Sequence, residues 1–309
     1  MVFDRRTLVI PDGTRIEEDC IQCTGDVIIG DRCLVQFGIK TDGRIFIGEH
    51  VIIDGDLSAT GDIRVDIFSR IRGNIESTQN VYLGEKVTVD GKLSLTGDLD
   101  VGDSVNVKEG FEAKGWINIR SPIPMVIYIF IYLMQLLKMG RSEEIERILS
   151  ELEEHEGEPI PISEVFLFVP SNSMVGKNSK TDGNLRVGKH AWIHGSLEVK
   201  GNVVFGDDTV FHGNVAAGGN AFFGKQNKVH GSIQAGDAIR LDEHTEVTGD
   251  VDGVKIHLAK TAAIRGTCYA SHGMMFITPY DYEADEKIRR FEEDLEIFDP
   301  VAESEETSS

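Results

Sequence analysis

The 309-residue sequence is short of several things at once. It has four cysteines (Cys20, Cys23, Cys33 and Cys268), eight prolines and two tryptophans, and aromatic residues make up 7% of it. Four thiols in a chain of this length exclude a disulfide scaffold. Basic residues are scarce, with 31 Lys and Arg against 52 Asp and Glu and a net charge of −21. Affinity for a phosphate backbone comes mostly from Lys and Arg, so nucleic acid is not an expected partner. The deficit is uneven: −7 over residues 1–120, −6 over 121–164, +1 over 165–280 and −9 over 281–309. Excess charge of one sign helps keep a self-associating protein in solution. No apolar stretch or small-residue cleavage site follows MVFDRRT, which predicts a cytoplasmic chain. Signatures of catalysis are missing too. There is no Walker loop, no G-x-S-x-G, no H-E-x-x-H and no paired C-x-x-C.

What the sequence does have is a count of six. VYLGEKVTVDGKLSLTGDLDVGDSVNV (81–107) divides into blocks that open apolar, polar, apolar and close on residues such as Gly, Asp or Lys. The apolar pair recurs from Ile21/Cys23 to Ile117/Ile119 without an insertion. Residues two apart on a strand share a face, so each block predicts a short strand with two inward side chains and then a corner. Glycine gives the longer period. Gly25, Gly43, Gly61, Gly97 and Gly115 lie on one grid of eighteen, Gly30, Gly48, Gly84 and Gly102 on a second, and Gly55, Gly73 and Gly91 on a third. Three corners per eighteen residues predict a triangular parallel β-solenoid, its glycines being attributed to corners that need positive φ. The pattern returns from Leu185/Val187 to Val251, slips by one residue, and resumes at Ile256/Leu258 through Met274/Phe276. Leu167/Val169 and Ser173/Val175 lead into it. The fold class is therefore mainly all-β, with two triangular β-helices of stacked rungs, because a lone rung cannot cover its own apolar face.

The expected domains are a first β-helix with an N-terminal cap (1–120), an insert (121–164), a second β-helix (165–280), an acidic helix (281–298) and a disordered tail (299–309). In the insert, Met125–Leu137 has Gln135 as its one polar residue. Thirteen residues reach about 20 Å as a helix, short of a bilayer core. A helix is favoured over a strand there, and SEEIERILSELEE supplies a second, so the insert reads as an α-helical hairpin packed on a solenoid end or side. A subunit interface and a peripheral membrane contact through Met125–Leu137 are the alternatives. The acidic second helix disfavours the membrane. The N-terminal TLVIPDGTRIEEDC, with Ile16 out of phase, reads as a partial cap or an assembly strand.

Candidate chemistry is sparse. Cys20 and Cys23 form a single C-x-x-C, but the register points Cys23 inward and Cys20 outward, so structural cysteines are the better reading. His194, His212 and His230 recur every eighteen residues and predict an outward column about 4.8 Å apart. It is a candidate metal site without a carboxylate in the column, and a stacked surface ladder is the better reading. No cofactor and no catalytic residue is expected.

Hexads such as IIGDRC and FIGEHV resemble the β-helix of hexapeptide acyltransferases. Domain one offers only His50 and no protruding loop, which counts against that enzyme class. TGDLDVGDSVNVKEGFEAKG and HGSLEVKGNVVFGDDTVFHGNV resemble more closely the rungs of the bactofilin, or polymer-forming cytoskeletal, family. That resemblance implies a right-handed β-helix, whereas hexad spacing alone permits either hand. It also implies end-to-end self-assembly without nucleotide and a scaffold role, with the chain itself and client proteins as partners. Two solenoids in one chain depart from the family's usual single one. A binding module using a flat solenoid face is a third reading.

Overall fold

The computed structural model describes residues 6–17, 19–120 and 165–277, and these form strands and corners only. The helical insert, the acidic helix and the tail expected from the sequence lie outside the described residues. Three sheets of fourteen, twelve and twelve strands form the faces of a triangular prism. We call them the long face, the second face and the third face. On the long face Ile45, Ile63, Val81 and Leu99 pair in succession, each eighteen residues after the last. The inward pairs Ile45/Ile47, Ile63/Val65 and Val81/Leu83 are buried, and the residue between each pair faces out. The slip after Val251 is absorbed by a shortened rung, so that Ile239 pairs with Ile256 and Leu241 with Leu258.

Corners are held by side-chain ladders. Asp62 Oδ1 accepts the Asn80 N–H at 3.1 Å, Asn80 Oδ1 accepts the Asp98 N–H at 2.8 Å, and Asp98 Oδ1 accepts the Trp116 N–H at 2.7 Å. Each bond satisfies a main-chain donor that the tight corner leaves outside the sheet ladders. Ser69 points inward as its phase requires. Its hydroxyl accepts the Val51 N–H at 3.0 Å and donates to the Gly48 carbonyl at 2.8 Å, so no polar atom is left unpaired there.

The reason offered for the glycines needs correction. The left-handed corner is occupied chiefly by other residues: Arg32, His50, Phe68, Lys86 and Ser104 in the first array, and His190, Asp208, Gln226 and His244 in the second, with φ between 55° and 59°. Gly43 has no positive φ, but a Cβ there would stand 2.2 Å from the Gly25 carbonyl oxygen. Most grid glycines are set by the close approach of one corner to the corner beneath it.

The arrangement of the two arrays was not visible in the periodicity. On every face the stack crosses one antiparallel step: Val9 opposite Phe168 on the long face, Met174 opposite Lys180 on the second, and Arg15 opposite Gln22 on the third. The arrays therefore meet head to head, with N-terminal rungs inward and C-terminal rungs outward. Each also lends a rung to the other. Strands Leu8–Ile10 and Arg15–Ile16 run parallel to Leu185–Val187 and Trp192–His194 of the second array. Strands Phe166–Val169 and Met174–Val175 run parallel to Asp26–Ile29 and Leu34–Val35 of the first. The exchanged segments are alike in sequence, IPDGT against VPSNS, with Gly13 at φ 69° and Asn172 at φ 62° in the same place. A pseudo-twofold axis thus passes through the junction. The corner ladder continues onto the lent rung, Asp12 Oδ1 accepting the Lys189 N–H at 2.8 Å. One apolar core runs from Leu99 through Leu8 and Leu167 to Leu258.

The N-terminal segment is accordingly a rung of the opposite array. Leu8/Ile10 and Thr14/Ile16 keep the count of six in a phase of their own, and all four are buried. Ile16 looked misplaced because its stack is the other one.

Candidate functional site

A parallel array that is paired on one side only must end in an open edge. On the first array the last strands are Ile117–Ile119, Asn106–Val107 and Phe111–Ala113, and among the described residues each pairs only with the rung before it. Phe111, Ile117 and Ile119 keep the inward phase, but they are 51%, 46% and 71% exposed. On the second array the last strands are Met274–Ile277, Ala263–Ile264 and Cys268–Ala270. Met274 and Phe276 are 43% and 62% exposed. Side chains that would be core in mid-stack become an apolar end surface, bordered by main-chain groups that no other described strand pairs and that are of the kind that recruit another strand. Among the described residues there are two such surfaces, both C-terminal. The N-terminal ends are used up on each other.

These rungs carry the decisive comparison. Residues 173–269 match the family model for bactofilin, described as polymer-forming cytoskeletal. Over these residues the second array, a β-solenoid, is similar to that family. No curated protein and no solved structure matches the chain. The first array lies outside the matched residues and repeats the geometry of the second: inward pairs every six residues, three faces, and a left-handed corner every eighteen.

The structure brings His194, His212 and His230 together as a column. Ring centroids are 4.5 Å apart at both steps, and Trp192 stacks on His212 at 5.6 Å. Burial lowers the pKa of His212, and the neighbouring His230 and His194 lower it further. The His212 and His230 rings are stacked and His194 is tilted by 39° against His212, so the three rings follow one another along the corner. Among the described residues no group of three His, Cys, Asp or Glu side chains is placed to hold a metal.

The cysteines follow the register. Cys23 is buried and Cys20 half-buried, and all four thiols are free. Burial pushes the Cys23 and Cys33 thiols up to about 11, which leaves them protonated and poor nucleophiles at neutral pH. Cys33 Sγ donates to the Pro170 carbonyl at 3.1 Å, tying the borrowed rung to the first array. His50 sits at a left-handed corner and stacks on Phe68 at 4.9 Å. No described helix is long and apolar enough to cross a membrane.

Sequence reasoning missed the outer side of the long face. Ile28, Phe46, Arg64 and Tyr82 are the residues between successive inward pairs, so they form one outward column. The Arg64 guanidinium lies 4.5 Å over the Tyr82 ring, and Arg44 lies 5.2 Å over Phe46. They line a groove of about 970 Å³ that runs along the first array to Ile119 and Arg120. The signal was available, since reading every eighteenth outward residue collects Ile28, Phe46, Arg64 and Tyr82 in a row.

Proposed function

We propose that the chain is a non-catalytic cytoskeletal scaffold that self-associates in the cytoplasm, without nucleotide, through its two C-terminal end surfaces. The observation that carries this reading is the pair of terminal rungs whose inward-phase residues Phe111, Ile119 and Phe276 stand exposed beside one-sided strands. The polymer-forming description of the matched family supports it. Because the N-terminal ends are closed inside the chain, each copy adds at C-terminal surfaces alone. Every contact between copies then joins outgoing strands to outgoing strands, and an assembly built this way has no polarity. Client proteins would bind to the long outer faces, which repetition presents at regular intervals.

The test is sedimentation velocity with negative-stain microscopy across a wide concentration range, in low and high salt, with and without ATP or GTP. Homo-oligomers that persist in high salt and ignore nucleotide are expected, since the contact is apolar and main-chain in nature. A strict monomer at all concentrations sinks the proposal. The acyltransferase reading differs in a direct way: it requires saturable acyl-CoA binding by calorimetry, and none is expected.

A further inference from the structure

We propose that the groove on the long face of the first array is the seat of the chain's own apolar run, Met125–Leu137. Three independent observations converge on this occupant.

The first is the groove. Its floor is the outward column of Ile28, Phe46, Arg64 and Tyr82, and its wall carries Glu85 and Asp103. Outer faces of an acidic solenoid are ordinarily polar, as Lys40, Ser58, Glu76 and Ser94 are on the third face. Two aromatic rings and an isoleucine in one outward line, all half-buried, make an apolar strip that water covers poorly.

The second is the path of the chain. The described structure leaves the long face at Arg120, directly after strand Ile117–Ile119, and re-enters it at Phe166, where Phe168 pairs with Ile28. Both ends of segment 121–164 thus border the groove, one at each extremity. Along the sheet these strands are six spacings apart, about 29 Å at ~4.8 Å per spacing. Because the arrays meet head to head, the segment must travel back along the full length of the first array. The long face joins its two ends by the shortest route.

The third is the composition of the segment. MVIYIFIYLMQLL has one polar residue, and four residues, Ser121 to Pro124, separate it from Arg120. Four residues reach at most about 14 Å, so the run begins beside the groove's outer end. Its thirteen residues span about 20 Å as a helix, comparable with the five strand spacings from Ile119 to Ile28, about 24 Å. A partner with such a stretch would fit as well, but this one is tethered to the groove at both ends, and tethering raises its local concentration.

The experiment places a photo-reactive benzoylphenylalanine at Phe46 or at Tyr82 in the full chain, with Phe222, on the same face of the second array, as control. Aromatic-for-aromatic exchange on an outer face preserves the fold, which circular dichroism checks. Isotopically heavy and light chains are mixed before irradiation, and cross-linked peptides are read by mass spectrometry. The expected product joins position 46 or 82 to the tryptic peptide 121–138 of the same chain, in a yield several-fold above that from position 222. Heavy–light products make the groove an interface between copies and overturn the proposal. Equal yields from all three positions, or none to 121–138, overturn it too. A fourth arm adds phosphatidylcholine–phosphatidylglycerol vesicles; flotation of the protein with loss of the cross-link assigns the run to a membrane surface instead.

Discussion

At the scale of single residues, every position in a rung faces one of two environments, and neighbours in sequence differ completely. Val89 is fully buried in the apolar core, whereas Thr88 stands on the outer face between Arg70 and Asn106 of adjacent rungs. Val89→Asp places a carboxylate where nothing can pair with it, and a loss of several kcal/mol in urea-unfolding free energy is expected. Thr88→Asp should be nearly silent, and equal losses from the two would refute the register. Glycine separates two mechanisms that sequence alone confuses. A Cβ at Gly43 meets main-chain atoms of Gly25 that cannot move aside, so Gly43→Ala should cost about 1–3 kcal/mol, the range for overpacking. Gln226 holds φ at 59° without being glycine, so Gln226→Gly relieves strain while loosening the unfolded chain. Its net effect should stay within about 1 kcal/mol of the parent, on the stable side. Finding Gly43→Ala harmless would contradict the stacking explanation.

At the scale of the strand and rung, most of the fold was legible. A two-residue alternation repeated every six residues admits few other structures, and pairs such as Ile63/Val65 and Leu197/Val199 are buried as their phase demands. The histidine column was legible for the same reason, because parallel in-register pairing stacks residue i on i+18 and therefore His194 on His212 on His230. The apolar groove needed one more step, from the inward residues to the outward ones between them. Columns also concentrate charge. In the folded state His212 has a pKa below its ordinary value of 6.5, chiefly through burial and then through His230 and His194. A folded state that binds its proton less readily than the unfolded chain is undisturbed above the unfolded pKa and loses stability as pH falls through the depressed one. Thermal denaturation of the parent should therefore show stability falling below about pH 6.5 and levelling once His212 is protonated in the folded state. His212→Asn should flatten that part of the profile, and an unchanged profile would mean that burial of His212 does not depress its pKa.

At the scale of the whole molecule, periodicity is silent about order in space. Two arrays in sequence suggest beads on a string, with the insert between their adjacent ends, and nothing in a six-residue count distinguishes that from two prisms set head to head. The information sat in the segments that looked irregular. Leu8 to Ile16 and Leu167 to Val175 are short, share a proline and a left-handed residue, and pair with the array to which they are not covalently next. The junction they make combines antiparallel main-chain pairing on three faces with an unbroken apolar core. None of this requires the covalent link through 121–164. Cutting the folded chain at a protease site introduced after Gly140 should therefore leave the two fragments together on size exclusion in 1 M salt, where the Debye length is about 3 Å and surface ion pairs are screened. Ile16 is 5% exposed in the rung lent to the second array, so Ile16→Asp buries an unpaired charge at the junction itself. In the cut protein that substitution should let the fragments separate while each keeps the circular dichroism of a β-solenoid. If the cut parent falls apart as readily as the Ile16→Asp variant, the halves are held by the insert and not by their exchanged rungs, and the closed N-terminal junction on which C-terminal assembly depends is not closed.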